Sequence, residues 1–392
     1  MFKKTLIALA ALGAVAGTAA AAHVTIYGRI DTSLRFSSID HDVATMDDET
    51  SFEMASGNYT GSRVGIKGAE DLGNGLKVGF VLENGFDADD GSYDSNERLF
   101  GREAIVYLEG DFGKLAAGRM GILNGSAGSF AIGGNFNPFT TGWGDVGSQT
   151  LLWGAGFSSR YSNMLTYASP DFAGFKVYAQ YSFGDNTNTD DAGVTHEEGK
   201  TTTDRYYAVG VTYNNGGLSL AGIVDSVNEQ HIQGTEDPDD TLRVTLGGTY
   251  DFGVVKPYLA AAYFKDAGMS SFMDAYDTTT TGTINNLLDN NNGDWDGYAV
   301  SLGASVPAFG GTAHAMVGYM DAELQGAGEE DYQGADLTRW ILGVGYEYPL
   351  SKRTLVYADA GYFKDDFDWT ADNWGDRKPE GYQAAVGLVH YF

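Results

Sequence analysis

The chain contains no cysteine and only seven prolines in 392 residues, and beyond its first two dozen residues no 18 apolar residues run together. Without cysteine there are no disulfide staples and no thiolate chemistry. Without a long apolar run, a bundle of membrane-spanning helices is excluded. Basic residues are scarce: 24 Lys and Arg stand against 53 Asp and Glu, a balance that repels nucleic acid and disfavours a basic membrane-surface binder. Neutral-pH bases are scarcer still. The six histidines, His23, His41, His196, His231, His314 and His390, sit in no recognisable catalytic motif, so no enzyme activity is expected. The acidic stretches lack the spacing of a cation-binding loop, and neither a metal nor a cofactor is expected.

What is present begins with Lys3 and Lys4, an apolar run from Leu6 to Val15 and small residues from Thr18 to Ala22. That succession reads as a secretory signal peptide over 1–22, too short in its apolar part to span a bilayer. Its removal leaves 370 residues, 22 basic and 53 acidic, with a formal charge of −31. Fifty-five glycines, 24 tyrosines and 21 phenylalanines follow no collagen period. The aromatics fall instead in alternating runs.

Period-two alternation marks a strand with two different faces, and it recurs along the whole chain. Ile26, Ile30 and Leu34 oppose Tyr27, Arg29, Asp31, Ser33 and Arg35; Leu242, Val244 and Leu246 oppose Arg243 and Thr245; Trp340, Leu342 and Val344 oppose Arg339 and Gly343. The pattern predicts strands over 23–36, 58–70, 75–86, 98–109, 113–120, 158–169, 174–183, 205–213, 217–228, 241–250, 254–265, 297–306, 311–322, 338–348, 353–363 and 382–392. Alternation alone does not separate a soluble sandwich from a membrane barrel, but connection lengths do. Seven tight turns, such as Asp71 to Asn74 and Pro307 to Gly310, alternate with eight long connections rich in acids such as Asp47, Asp48, Asp190 and Asp191. Short turns on one side and long loops on the other are the mark of an outer-membrane barrel. Because lipid offers the backbone no hydrogen-bond partner, the sheet must close, the last strand pairing with the first. The expected fold is all-β: a 16-stranded antiparallel transmembrane β-barrel formed by residues 23–392.

The segment Ser62-Arg63-Val64-Gly65-Ile66-Lys67-Gly68-Ala69-Glu70-Asp71-Leu72-Gly73-Asn74-Gly75-Leu76-Lys77 resembles the second hairpin of Gram-negative general porins, above all their beta-proteobacterial branch. Thr25-Ile26-Tyr27-Gly28, Gly118-Arg119, Ser169-Pro170 and the terminal Gly387-Leu388-Val389-His390-Tyr391-Phe392 extend the resemblance along the mature chain. It implies an outer-membrane homotrimer surrounded by lipid and lipopolysaccharide, passing ions and small hydrophilic solutes by diffusion. It also implies that Phe392 is read by the barrel-assembly machinery. A substrate-selective channel for sugars or organic anions on the same barrel is the alternative; Tyr27, Phe139, Trp143 and Trp153 are its candidate stacking residues.

The third long connection, residues 121–156, is the longest and differs in chemistry from the others, with ten glycines, Phe130, Phe136, Phe139 and Trp143, and a single ionisable residue, Asp145. A connection of this length without structure of its own is usually functional or disordered. In the porins this loop folds inward and narrows the channel. The resemblance sets a basic ladder opposite it: Arg63, Lys67, Arg102 and Arg119, with Arg29 and Arg160 as additions. Parity turns Arg29, Arg63 and Lys67 inward. Arg102 and Arg119 share parity with apolar Val106 and Leu115; since a charge on the lipid face costs ~2–4 kcal/mol at the midplane, a β-bulge or a place above the apolar band is expected for them. Asp31, Glu83 and Glu103 are the candidate acidic partners. With Asp145 the only acid of the loop, the waist is expected to favour anions, although the acidic outer loops draw cations to the mouth.

Overall fold

The computed structural model describes residues 23–42, 48–94, 98–139, 158–184, 188–189, 195–230, 239–268, 295–325, 335–369 and 376–392; the signal peptide expected over 1–22 lies outside them. The strands in chain order are β1 (His23–Asp40), β2 (Glu49–Ser56), β3 (Arg63–Gly73), β4 (Leu76–Phe86), β5 (Tyr93–Asp94), β6 (Glu103–Gly110), β7 (Gly113–Gly121), β8 (Arg160–Ala168), β9 (Phe175–Ser182), β10 (Asn188–Thr189), β11 (Thr195–His196), β12 (Arg205–Asn215), β13 (Leu218–Asn228), β14 (Thr241–Tyr250), β15 (Lys256–Ala267), β16 (Trp295–Ala308), β17 (Gly311–Leu324), β18 (Ala335–Ser351), β19 (Thr354–Trp369) and β20 (Glu380–Tyr391). Two-residue β5 adds to β4, and β10 with β11 forms a small separate hairpin. β2 and β3 pair with the two halves of β1 and make one interrupted stave. The wall described is thus sixteen antiparallel staves, closed where β20 pairs with β1 from Arg29↔Tyr391 to Asp40↔Glu380. Closure removes the unpaired edges that lipid does not tolerate.

The seven short turns all lie at the end of the barrel that holds both His23 and Phe392. At the first of them Asn74 has φ 53° between Gly73 and Gly75, at 86° and 78°, a left-handed run that only Gly and Asn adopt cheaply. Along the staves the burial alternates as the sequence does. On β18, Leu337, Arg339 and Ile341 are buried while Trp340, Leu342 and Val344 are exposed; on β14, Arg243, Thr245 and Thr249 are buried and Leu246 is 60% exposed. The exposed set forms an apolar coat of the kind that faces lipid.

Two features depart from simple alternation. The strand expected over 58–70 begins only at Arg63, and residues 49–56, expected in the first long connection, form β2; between them Gly57, at φ 72°, turns the chain out of the ladder. The physical cause is Asp31, whose carboxylate accepts the amides of Tyr59 (2.8 Å) and Thr60 (2.7 Å), bonds that compete with strand pairing. The inner face is also not uniformly polar. Near the long-connection end of β15 to β19 the inward positions Phe264, Trp295, Met320, Leu337 and Phe367 are fully buried, with the Arg339–Asp365 pair among them.

Candidate functional site

The third connection is described to Phe139, and its path is set by contacts with inward side chains. Leu123 N donates to Gln180 Oε1 (2.8 Å), Gln180 Nε2 donates to Gly121 O (3.0 Å), and Asn124 Nδ2 donates to Thr245 Oγ1 (2.7 Å). A single 3₁₀ turn, Gly133–Phe136, then sets Phe136 against Gly247, where a Cβ would stand 2.3 Å from the ring. Pro138 lies over Gly303 in the same way, at 2.7 Å. Phe139 stands 6.0 Å from the His314 ring. Thr245, Gly247, Gly303 and His314 all occupy inward register positions, so this segment lines the inner wall from β9 to β17. Its fully buried Leu123, Phe136 and Phe139 make that contact apolar. Asp145, Trp143 and Trp153 lie outside the described residues.

The inner wall from β1 to β8 carries charge. Glu83 of β4 is its hub: its Oε1 accepts from Arg102 Nε at 2.9 Å and lies 3.6 Å from Arg63 Nη1, and its Oε2 accepts from Tyr27 OH at 3.0 Å. Lys67 lies over the Tyr27 ring, 4.9 Å from its centroid. Arg29 stands opposite Arg63 in the β1–β3 register, 5.7 Å from the Tyr391 ring. Glu83 thus pairs with two guanidinium groups, and with Arg29 opposite Arg63 and Lys67 over Tyr27 the basic groups of this arc outnumber its acids.

Arg102 escapes the parity rule because it lies one residue before β6, where the pleat has not begun. Arg119 escapes it because the β7–β8 register slips between Gly118 and Met120. In that bulge its Nε donates to Gly101 O (2.7 Å) and its Nη1 to Ser162 Oγ (3.1 Å). Arg160 opens β8 and donates to Ser159 Oγ at 3.2 Å. Of the three candidate acids, Glu83 pairs with Arg63 and Arg102. Glu103 instead accepts Ser129 N (3.1 Å) and Oγ (3.0 Å), tying the third connection to the wall, and Asp31 holds the 57–62 segment. No local motif marks either role, since each depends on a partner more than 20 residues away.

A family profile described as Gram-negative porin matches residues 8–368. The chain belongs to the Gram-negative porin family. This porin is 35% identical over 417 residues to an outer membrane porin protein of Bordetella pertussis, with all of both chains aligned. It is 28% identical over 372 residues to outer membrane porin protein 32 of Delftia acidovorans, covering 92% of this chain and 90% of that one. Among solved structures it resembles an anion-selective porin from Comamonas acidovorans with TM-score 0.62 and 26% identity, over 95% of this chain and all of that one. The porin is thus an outer-membrane β-barrel, a water-filled channel through which ions and small hydrophilic solutes diffuse passively. No step of chemistry is required; charge and width along the inner wall decide what passes.

Proposed function

We propose that this porin is a general diffusion channel whose waist prefers anions, and that Arg29, Arg63, Lys67, Arg102, Arg119 and Arg160 are the residues that impose the preference. The observation that carries the reading is the asymmetry of the waist. An arc whose basic groups outnumber its acids faces a connection that carries no charged residue from Leu123 to Phe139. Fixed positive charge on the wall of a narrow, water-filled passage concentrates anions and repels cations. Asp145 is the one acid the third connection could set against the arc, too little to balance it. The anion-selective description of the Comamonas acidovorans relative agrees with the reading.

The zero-current potential across a planar bilayer in a salt gradient tests it. Anion preference is expected, falling in Arg63→Ala and Arg102→Ala. At about 8 Å in water one charge is worth about 0.5 kcal/mol, so each variant shifts the permeability ratio about twofold. Cation preference that survives neutralising the long outer connections contradicts the proposal.

The assembly inferred from the resemblance is a homotrimer seated among outer-membrane lipid and lipopolysaccharide, made after a signal peptide over 1–22 is removed; its native mass should be three times that of the processed chain. Phe392 is the inferred mark for the barrel-assembly machinery. Its ring packs on Gly28, and its N and O exchange two 3.1 Å hydrogen bonds with that residue, so it also seals the closing pair of staves. Deleting Phe392 should lower the yield of heat-modifiable folded barrel in cells severalfold; an unchanged yield contradicts both roles.

A further inference from the structure

We propose that the waist is formed by two inward segments, that residues 57–62 are the second, and that Tyr59 helps set the width of the passage. This rests on the interior being the solute path, as above.

The break in the second stave requires chain to leave the wall. Thr32 pairs with Ser56 and Arg29 with Arg63, so only Ile30 and Asp31 stand opposite the six residues from Gly57 to Ser62. The surplus must go outward into lipid or inward. Outward, its amides and carbonyls would have no partner, which is costly in hydrocarbon. Inward, three of its amides and several of its side chains find partners, the first being Gly57 N on Asp31 O (3.2 Å). Asp31, 0% exposed, accepts Tyr59 N and Thr60 N on Oδ2 and Tyr357 OH on Oδ1 (2.9 Å). Asn58 donates to Asp359 Oδ2 (2.7 Å) and accepts from Gln383 Nε2 (3.1 Å). Tyr59 OH donates to Glu347 Oε2 (2.5 Å), and its ring lies 5.1 Å from that of Tyr357. The segment is therefore a braced ledge across the inner faces of β1, β20, β19 and β18. It differs from a loose insertion because its bonds reach four staves: Tyr59 N and Thr60 N to Asp31 of β1, Tyr59 OH to Glu347 of β18, and Asn58 to Asp359 of β19 and Gln383 of β20.

Its two ends meet the two parts of the waist already described. At one end, Gly61 O accepts Arg63 Nε (2.9 Å), and a Cβ on Gly61 would stand 3.0 Å from Arg102 Nη1, so the ledge abuts the basic arc. At the other, Glu347 lies 3.9 Å from His314 Nε2, and His314 faces Phe139 of the third connection. Basic arc, ledge and third connection thus succeed one another around the inside of the wall. The ledge carries no charge; Asn58, Thr60 and Ser62 are buried beneath it, and Tyr59, partly exposed between half-buried Gly57 and Gly61, is its largest side chain.

Because the chain lacks cysteine, a Tyr59→Cys variant carries a single thiol. Its folding is checked by heat-modifiable mobility and its labelling by mass. In the open channel, a bulky methanethiosulfonate reagent should lower single-channel current by about half in this variant, and leave the wild type unchanged. Tyr59→Trp, which keeps an aromatic ring against Tyr357, should by itself reduce conductance. Unaltered current after complete labelling, a thiol that does not react in the folded channel, or a Tyr59→Trp conductance equal to wild type would each overturn the ledge as a waist element. Wild-type protein that forms no channels in the same bilayer would instead overturn the transport reading beneath it.

Discussion

Two arginine–aspartate pairs, Arg243 with Asp225 and Arg339 with Asp365, lie directly opposite one another on neighbouring staves, at 2.6 and 2.7 Å. Both are buried on the inner face, and in the second pair the side chains are 0% and 1% exposed. Such a pair adds little net stability compared with apolar residues of the same shape, because each charge has lost its water. Breaking it is another matter. Asp365→Ala leaves a guanidinium buried without its carboxylate and should cost about 3–5 kcal/mol, measured by urea unfolding in lipid vesicles; the double variant Arg339→Met with Asp365→Leu should recover most of that loss. Equal losses in single and double variants contradict the pairing. The wall charges were partly legible in the sequence at this scale. Arg29, Arg63 and Lys67 lie in unbroken alternation, which fixes their side, whereas Arg102 sits before a pleat begins and Arg119 inside a bulge, so parity misassigned both.

Among the elements, the staves were legible because each reports its two faces in its own residues, and the short turns because Asn74, Gly110 and Gly216 mark them locally. The ledge was not. Residues 57–62 leave the ladder for a carboxylate nearly 30 positions earlier in the chain, and nothing in their own alternation announces it. The placing of the third connection depends likewise on what the opposite wall lacks. Gly247 and Gly303 are inward positions without side chains, and Phe136 and Pro138 fill the space. Gly247→Leu would drive side-chain atoms into the Phe136 ring, at a cost of about 1–3 kcal/mol. The expected result is a displaced third connection: thermal stability falls and single-channel conductance changes together. Loss of stability with conductance unaltered would mean that this contact does not position the waist.

For the whole molecule, the same period-two alternation has two consequences. Its apolar parity, from Ile26 and Val64 through Leu246 to Val344 and Val386, coats the outside of a closed wall, and closure lets every stave satisfy its backbone within lipid. Its other parity turns inward, where part of it packs under chain or into the apolar layer of β15 to β19 and the rest borders the passage. The strong negative charge belongs mainly to the long connections and the positive arc to the inner wall, so the proposed anion preference of the waist would oppose the pull of the mouth on cations. The most direct test of the account is single-channel recording of the purified, processed protein in planar lipid bilayers. The account predicts stepwise current increments that scale with salt concentration, as in a water-filled passage. Protein shown to be folded and inserted that yields no steps, or protein that stays folded and soluble without detergent or lipid, would contradict it.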